Sequence, residues 1–348
     1  MVTPLLAFSP VGSGLPSVSI VLPVRNEATR IENILKQIFA QDYPRSITEV
    51  IVVDGGSNDS TPDIAAKFCQ DGHSPVVLRL KERGRSQGLN RGIKMSRNQL
   101  ILRLDARTII EPDYLSLCVA ALMRTGADNV GGVQKAIGKT RRQQAFAIAL
   151  SIPFGVGDAQ FRLGKRSGFV DSAYLGCFKR EVFDRIGYFD EESAIISEDS
   201  DINFRIRKAG GKVYLDTQIV AQYEPRESFF EFFRLYYRYG GAKAGILLKH
   251  KRLISWRQTI PPTLLLCIII FSLTSLIAPE WALPPLLGLA SVYLLSNLLV
   301  SIFNAAYQRK AYLFPLLFFT FCTMHFGYGM GYLKRLLVPE TPGTYWKY

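Results

Sequence analysis

Cysteine is scarce in this chain of 348 residues, and its distribution excludes two common kinds of stabilising site. The five cysteines are odd in number, widely separated and free of any CxxC pair. They are Cys69, Cys118, Cys177, Cys267 and Cys322. This pattern argues against a disulfide framework and against a zinc site, and it is typical of a protein in a reducing compartment.

The N-terminal region lacks the features of a cleaved signal peptide. Residues 1–16 have no basic start, and they contain prolines and glycines. A signal peptide needs a positively charged start followed by an apolar stretch and a cleavage site. We therefore predict that the domain that follows stays in the cytoplasm.

Motifs for nucleic-acid binding are missing as well, although the chain is basic. Its 42 lysines and arginines outnumber its 29 acidic residues and give a formal net charge of +13. There is no zinc spacing, recognition-helix pattern or aromatic RNA-binding signature to accompany this charge. Anionic membrane lipids and a diphosphate substrate, rather than nucleic acid, are the predicted partners.

Charge is nearly absent from the C-terminal part of the chain. Glu280 is the only charged side chain between Gln258 and Tyr307, and residues 311–333 carry none. Three apolar stretches result, at 260–278, 281–305 and 311–333. Each has roughly the 20 residues that a helix needs to cross the hydrocarbon core of a membrane.

Basic residues flank these stretches and predict their orientation. Lys249, Lys251, Arg252 and Arg257 precede the first stretch, and Arg309 with Lys310 separates the second from the third. Because loops rich in lysine and arginine stay in the cytoplasm, the preceding domain should lie at the cytoplasmic face of the inner membrane. The topology of the third stretch stays open, because a simple crossing would place Lys334 and Arg335 on the outer side of the membrane. Its three glycines also make it a weak span.

The boundaries of the predicted regions follow from these composition changes. We predict an extension at 1–16, an α/β domain at 17–240, a basic segment at 241–257, a membrane domain of two to three helices at 258–336 and a tail at 337–348. The apolar segment 145–154 fits either an interfacial helix that meets a lipid-linked acceptor or a core helix. The sequence does not predict an oligomeric state.

Apolar runs and amphipathic stretches alternate in the first hundred residues. The runs predict strands at 18–23, 49–54, 76–80 and 100–104, and the stretches predict helices at 30–40, after a cap at Ser60 or Thr61, and at 84–95. This order predicts an α/β fold with parallel strands, in which ligands bind beyond the carboxyl ends of the strands. Arg25, Asp54 and Asp105 follow three of those ends.

The first strand is not followed by GxGxxG, which excludes a dinucleotide fold. The carboxylates of Asp54 and Asp105 suit a nucleotide whose base and ribose need hydrogen-bond acceptors and whose diphosphate needs a cation. Magnesium is commonly held by one or two carboxylates together with phosphate oxygens. The pattern therefore predicts a nucleotide-diphosphate site with a divalent ion, Mg²⁺ or Mn²⁺.

Four ordered motifs extend this interpretation. They are VSIVLPVRNE (18–27), VIVVDGGSNDST (50–61), LDA (104–106) and SEDSDINFRIRKAG (197–210). Together they strongly resemble family 2 glycosyltransferases, most of all the membrane-attached bacterial sugar transferases of succinoglycan-type exopolysaccharide assembly. The resemblance covers about residues 16–240, and it implies a GT-A fold with a Rossmann-like mixed sheet and inversion at the anomeric carbon.

The resemblance implies roles for residues around the nucleotide. Pro23 and Glu27 would contact the nucleoside, Glu27 through the ribose, and Asp54 would hydrogen-bond the base. Arg25 and Gly55 lie beside these residues in the sequence and are included in the predicted nucleotide site.

The resemblance also implies the catalytic groups. Asp105 matches the first aspartate of the DxD-type motif, which holds the metal and the nucleotide. Asp199 matches the general base, with Glu198 beside it orienting or contacting the acceptor. The alternative for this pair is the start of a helix capped by Ser197, and the two interpretations are compatible.

Three arginines qualify the resemblance. Arg107 stands where many relatives have the second aspartate; it cannot bind a cation, and its planar fork suits the diphosphate instead. Arg85 is predicted to contact a phosphate or the base. Arg238 is the only match to the QxxRW motif of processive relatives, which argues against a processive synthase and leaves Arg238 as a predicted diphosphate clamp.

We therefore predict an inverting hexosyltransferase that moves a sugar, glucose from UDP-glucose, to a polyprenyl-diphosphate-linked saccharide in cell-surface polysaccharide synthesis. Two alternatives stay open at this point. One is a transferase that makes a glycolipid with a lipid, carotenoid or ceramide-type acceptor. The other is a non-catalytic binding protein with the same fold.

Overall fold

A computed structural model describes residues 14–81, 84–191, 197–253 and 255–338. Most of the predicted N-terminal extension and C-terminal tail lies outside the described residues. Within them, nine strands form a single sheet. The strands are β1 (Val18–Val24), β2 (Thr48–Asp54), β3 (Val76–Arg79), β4 (Leu100–Arg103), β5 (Thr108–Ile110), β6 (Asn129–Ala136), β7 (Gly168–Phe169), β8 (Tyr174–Lys179) and β9 (Val213–Tyr223).

Helices cover both faces of the sheet and form the C-terminal region. Those of the first 250 residues are α1 (Ile31–Phe39), α2 (Thr61–Lys67), α3 (Arg85–Met95), α4 (Tyr114–Thr125), α5 (Arg141–Ala149), α6 (Pro153–Val156), α7 (Gln160–Leu163), α8 (Glu181–Ile186), α9 (Glu198–Lys208) and α10 (Phe229–His250). Three more follow: α11 (Ile260–Thr274), α12 (Pro279–Tyr307) and α13 (Phe314–Leu337).

The sheet is mixed, with the order β3-β2-β1-β4-β8-β6-β9-β5 and with β7 paired to β9. The first four strands are parallel, as the alternation of strands and helices predicts. The expectation of parallel strands does not extend further, because β8 runs antiparallel to both β4 and β6. The predicted α/β fold with a mixed sheet is confirmed.

Apolar layers lie on the two faces of the sheet. On one face, α1 and α4 bury Ile34 and Tyr114 against β1 and β2. On the other face, α3 and α9 bury Leu89 and Ile202 against the opposite side chains of the same strands. Strands buried on both faces read as continuous apolar runs, which is why the strand predictions agree with the structure to within one residue.

Two predicted helix caps are wrong. Ser60 precedes α2 and Ser197 precedes α9, but neither side chain makes a capping hydrogen bond. Thr61 Oγ1 instead accepts a hydrogen bond of 2.8 Å from the backbone N–H of Glu27 and joins the loops after β1 and β2. Ser197 has a left-handed backbone with φ of 77°, and its carbonyl oxygen accepts the N–H groups of Ser200 and Asp201.

Among the described residues, three helices are long and apolar enough to cross a membrane: 256–274, α12 and a 27-residue stretch that ends with α13. The chain is therefore a membrane protein. The third stretch is one continuous helix that packs against α10, α11 and α12.

The glycines of α13 allow this close packing. A Cβ atom at Gly331 would lie 1.8 Å from the carbonyl oxygen of Tyr237 in α10, and one at Gly240 would lie 2.0 Å from that of Tyr328. The glycines therefore mark a helix–helix contact, and the topology of this stretch in the membrane stays a prediction. Because α10 is continuous from Phe229 to His250, the boundary predicted at 240 falls within a helix.

The segment α5–α7 joins the sheet domain to the membrane helices. Phe146 of α5 stacks on Phe232 of α10 with ring centroids 4.1 Å apart. Phe154 of α6 packs edge-on against Phe321 of α13 at 5.0 Å. Of the two interpretations of segment 145–154, the structure favours the core helix, because Phe146 is fully buried.

Candidate active site

The carboxyl ends of three neighbouring strands bring the predicted nucleotide and metal residues together. In the sheet register, Asp54 of β2 lies opposite Val24 of β1, and Arg103 of β4 lies opposite Val21. Asp105 follows β4 by two residues, and the N-terminus of α9 brings Glu198 to the same edge. The sheet topology thus places residues more than 90 positions apart in the sequence within direct contact.

A buried ion-pair cluster lies at the centre of this edge. Arg103 Nη2 donates to Glu198 Oε1 at 2.6 Å and lies 3.6 Å from Asp105 Oδ1. Arg85 Nη1 lies 3.5 Å from Glu198 Oε1 and 3.6 Å from Asp105 Oδ2. Glu198 and Arg103 are almost completely buried, whereas 49% of the Arg85 side chain is exposed.

The electrostatics of the cluster keep Asp105 and its arginine partners charged. Burial alone would raise the pKa of Asp105, but Arg85 and Arg103 outweigh it and hold that pKa below its usual range. Asp105 in turn raises the pKa of Arg85, with a smaller contribution from Glu198. Asp105 is therefore an ionised carboxylate with cations on two sides.

Glu198 and Asp199 have different surroundings although they are adjacent. Both lie in the first turn of α9, which confirms the helix predicted there. Glu198 is paired with two arginines. Asp199 is half-buried, accepts a hydrogen bond of 2.8 Å from the N–H of Ser200, and forms no ion pair with the part of the chain that the structure describes.

The nucleotide end of the edge carries a second group of polar contacts. Asp54 is buried and accepts hydrogen bonds from the N–H and hydroxyl of Ser57. Glu27 Oε1 accepts a hydrogen bond of 2.7 Å from Arg107 Nε, and Glu27 Oε2 pairs with Arg30 at 3.2 Å. The arginine in the DxD-type motif thus binds the carboxylate predicted to contact the ribose.

The remaining predicted nucleotide residues line the same loops. Pro23 lies near the end of β1 beneath Gly88 of α3, where an added Cβ would be 3.2 Å from Pro23 Cβ. The Nε atom of Arg25 is buried and has no hydrogen-bond partner in the described ranges. The N–H of Gly55 donates to the carbonyl of Val24 at 2.9 Å and holds the two loops together.

A divalent ion would have a single protein carboxylate here. No group of three or more histidine, cysteine, aspartate or glutamate side chains suitable for a metal occurs in residues 14–81, 84–191, 197–253 and 255–338. Asp105 Oδ1, however, is buried and lacks a hydrogen-bond partner among those residues. A carboxylate oxygen without a hydrogen-bond partner fits a magnesium-type site completed by phosphate oxygens and water.

Residues 19–187 match the model of the glycosyl transferase family 2. The chain is a glycosyltransferase with a family 2 domain. It is 28% identical over 320 residues to the succinoglycan biosynthesis protein ExoA of Rhizobium meliloti (strain 1021), covering 91% of this chain and 94% of that one. A β-monoglucosyldiacylglycerol synthase of Nostoc sp. (strain PCC 7120) is 29% identical over 203 residues, which cover 55% of this chain and 41% of the synthase.

A solved structure has the same fold. The mannosyltransferase PcManGT from Pyrobaculum calidifontis, in complex with GDP-Man and Mn²⁺, superposes with a TM-score of 0.61 at 22% identity. The match covers 93% of this glycosyltransferase and 88% of that one. The predicted GT-A fold followed by membrane helices is thereby confirmed.

Sequence reasoning missed several residues of the glycosyltransferase site. Arg103 had a visible signal, since it interrupts the apolar run LILRL of a central strand. Lys243 of α10 did not, because it reaches the site only through the packing of α10 on α9, where its Nζ donates to Ser200 Oγ. Burial lowers the pKa of Lys243, and the carboxylates of Asp199 and Asp171 oppose that effect.

Arg238 has basic neighbours. Burial together with the charges of Arg234 and Arg226 lowers its pKa. The next residue, Tyr239, is also a side chain of α10. Asp199 raises its pKa and Arg85 lowers it. The contact between Arg238 and a diphosphate stays a prediction.

Proposed function

We propose that this glycosyltransferase transfers glucose from UDP-glucose, with inversion, to a lipid-linked saccharide at the cytoplasmic face of the inner membrane. The proposal extends the coarser conclusion that the chain is a membrane-associated transferase with a nucleotide-sugar donor and a lipid or glycan acceptor. The location rests on the basic residues before α11 and between α12 and α13. The exopolysaccharide role of the acceptor is supported by the similarity to ExoA along most of both chains.

One observation carries the catalytic assignment. Inversion requires a base that takes the acceptor hydroxyl proton as its oxygen attacks the anomeric carbon from the face opposite the leaving diphosphate. Glu198 is paired with Arg103 and Arg85, so protonation of Glu198 would leave Arg103 with a weaker partner in a buried site. Asp199 is half-buried and outside these pairs, which supports Asp199 as the base and Glu198 as a residue that orders the site.

The other side of the proposed reaction needs positive charge. As the bond to the anomeric carbon breaks, negative charge grows on the diphosphate, and fixed cations stabilise it. The half-exposed guanidinium of Arg85 is available for this contact, and Asp105 holds it in place. A divalent ion bound by the carboxylate of Asp105 would supply further charge neutralisation at the leaving group.

The nucleoside is proposed to bind above the ends of β1 and β2. Asp54 would accept a hydrogen bond from the base, and Glu27 would accept one from the ribose. The Arg107–Glu27 pair supports a role for Arg107 in orienting Glu27 and in approaching the diphosphate at the same time. Its five donors allow both, since only Nε is used by Glu27.

The donor and the inversion can be tested together. The full chain in detergent with Mn²⁺ is offered radiolabelled UDP-glucose, UDP-galactose and GDP-mannose in turn, with bacterial membrane lipids as acceptors. We expect label to enter the lipid fraction from UDP-glucose and the product to have the β configuration by NMR of the anomeric proton. Incorporation from another donor alone, or an α-linked product, would contradict the proposal.

A glycolipid acceptor is the second candidate, and the similarity to the β-monoglucosyldiacylglycerol synthase of Nostoc sp. favours it. Treatment of the labelled product with mild acid distinguishes the two kinds of acceptor. It releases sugar that is attached through a polyprenyl diphosphate, and it leaves the sugar of a diacylglycerol glycolipid in place. Release of the label is the expected result.

A further inference from the structure

Arg162 of α7 is a partly buried cation with no acidic partner. Its Nη1 atom is shielded from solvent and has no hydrogen-bond partner in the residues that the structure describes. No carboxylate within those residues forms an ion pair with it. A buried charge normally has a partner, because desolvation without one costs several kcal/mol.

Aromatic side chains surround Arg162, whose guanidinium lies 5.5 Å from the centroid of the Phe161 ring. Tyr236, Tyr239, Tyr223 and Tyr174 are the titratable groups that act on its guanidinium. Burial raises the pKa of Tyr239 to about 12 and that of Tyr236 still higher, so both hydroxyls stay protonated at neutral pH. The cluster therefore presents one fixed cation and several hydroxyl donors, and no carboxylate in the described part of the chain forms an ion pair with the cation.

This tyrosine-lined cluster adjoins the reaction centre. The rings of Tyr236 and Tyr239 pack edge-on with centroids 5.7 Å apart, and Tyr174 stacks on Phe161, the neighbour of Arg162, at 6.4 Å. Asp105 raises the pKa of Tyr174, and Asp199 raises that of Tyr239. The two tyrosines thus have Arg162 on one side and the proposed catalytic residues on the other. A group bound at Arg162 would lie next to the position where the acceptor hydroxyl must approach.

The cluster also lies at the junction with the membrane helices. The loop before α7 is tied to the segment before α11, where Asp158 pairs with Arg257 at 3.4 Å. Tyr236 and Tyr239 belong to α10, which packs along α13. The cluster is therefore next to the helices at which a membrane lipid would bind.

We propose that Arg162, with the hydroxyls of Tyr236 and Tyr239, binds the phosphate group of a lipid-phosphate-linked acceptor. The proposal rests on the proposed function in one respect, namely that the acceptor is a membrane lipid. Arginine binds phosphate through charge-assisted, bidentate hydrogen bonds, and hydroxyl donors complete such a site. The donor diphosphate has its own cation in Arg85, so the second cation is available to the acceptor.

Binding of a soluble lipid diphosphate tests this site without catalysis. The full chain in phosphatidylcholine nanodiscs is titrated with farnesyl diphosphate, with farnesol as the phosphate-free control and UDP with Mn²⁺ as the donor-site control. For Arg162→Gln, we expect the Kd for farnesyl diphosphate to rise at least tenfold while UDP binding stays within twofold of the wild type. The matched control is Arg166→Gln, a change at an exposed arginine four residues later, which should leave both affinities unchanged.

Each other outcome overturns the proposal. The phosphate site is refuted if farnesyl diphosphate binds Arg162→Gln as it binds the wild type, if it does not bind the wild type, or if only UDP binding falls. If phosphatidylglycerol in the nanodiscs competes with farnesyl diphosphate and binds equally tightly, Arg162 binds lipid head groups in general and the proposal is wrong. Should Arg162→Gln fail to bind UDP because it does not fold, Arg162→Lys and Tyr239→Phe replace it, and unchanged affinity in both refutes the site.

The binding assay contains no donor sugar, so it fails separately from the proposed function. A chain that binds farnesyl diphosphate through Arg162 but transfers no sugar contradicts the proposed function alone. Sugar transfer together with unaltered binding by Arg162→Gln contradicts the phosphate site alone.

Discussion

Replacing Arg103 by methionine removes the partner of a carboxylate that has almost no access to solvent. Glu198 is paired with Arg103 at 2.6 Å, and only 3% of the Glu198 side chain is exposed. Breaking a buried ion pair from one side costs about 3–5 kcal/mol, because the remaining charge is left uncompensated. Arg85, 3.5 Å from the same oxygen, offsets part of the loss. We therefore expect a loss near the lower limit, about 3 kcal/mol.

The measurement is thermal unfolding of the full chain in detergent, followed by intrinsic fluorescence. At about 2–4 °C per kcal/mol for a domain of this size, Arg103→Met should lower Tm by roughly 6–12 °C. Adding Glu198→Gln removes the carboxylate charge that Arg103→Met leaves unpaired, and the double variant should recover part of the loss in Tm. The control is Arg79→Met, which breaks the exposed pair with Asp63 and should shift Tm by no more than about 2 °C.

Two results would refute this reasoning about the cluster. One is a Tm for Arg103→Met no lower than that of Arg79→Met. The other is additive behaviour of Arg103→Met and Glu198→Gln, because two residues in direct contact should show a coupling of at least about 0.5 kcal/mol.

Three further predictions concern the metal, the helix packing and the orientation. Asp105→Asn should weaken Mn²⁺-dependent UDP binding at least about tenfold, measured by titration, because it removes a carboxylate whose buried Oδ1 has no hydrogen-bond partner among the described residues; equal Mn²⁺ stimulation would contradict a metal at Asp105. Gly331→Ala should lower Tm, since its Cβ would meet the Tyr237 carbonyl at 1.8 Å, whereas Gly288→Ala, with nothing within 4 Å, should not. Cys69 is exposed, so a membrane-impermeant maleimide should label it only after intact cells are permeabilised. Labelling of Cys69 in intact cells would indicate the opposite orientation in the membrane.

The strand ends of the site were predictable from the sequence because they depend on local pattern. Strands buried on both faces read as apolar runs, and the polar residues after them, Asp54 and Asp105, must gather at one edge of a parallel sheet. The helix at Glu198 was predictable from its acidic first turn. These inferences needed no knowledge of which strands are neighbours.

The contacts that decide the chemistry were not predictable in this way. Arg103 pairs with a residue 95 positions away, and Lys243 reaches the site only because α10 packs on α9. Arg107 was expected at the diphosphate, yet its Nε is taken by Glu27. A one-dimensional pattern gives the kind of residue and its element, but pairings between distant charges depend on how the elements pack.

The packing also connects the proposed base to the membrane. Asp201, two residues after Asp199, is fully buried and is bound by Lys249 and His250 at the end of α10. Burial opposes ionisation of Asp201, but Lys249 and Arg205 outweigh it and lower its pKa. Since α10 lies along α13, the helix that carries Asp199 is fixed relative to the membrane helices.

The central claim is that Asp199 is the base of an inverting sugar transfer, and one comparison tests it directly. Transfer of label from UDP-glucose to membrane lipid is measured for the wild type, for Asp199→Asn and for Asp184→Asn, a change at an exposed aspartate of α8. We expect Asp199→Asn to lose at least about 10²-fold in kcat, the usual contribution of a general base, while UDP binding and the Asp184→Asn rate stay at wild-type levels. An Asp199→Asn enzyme with the same kcat as Asp184→Asn would contradict the account.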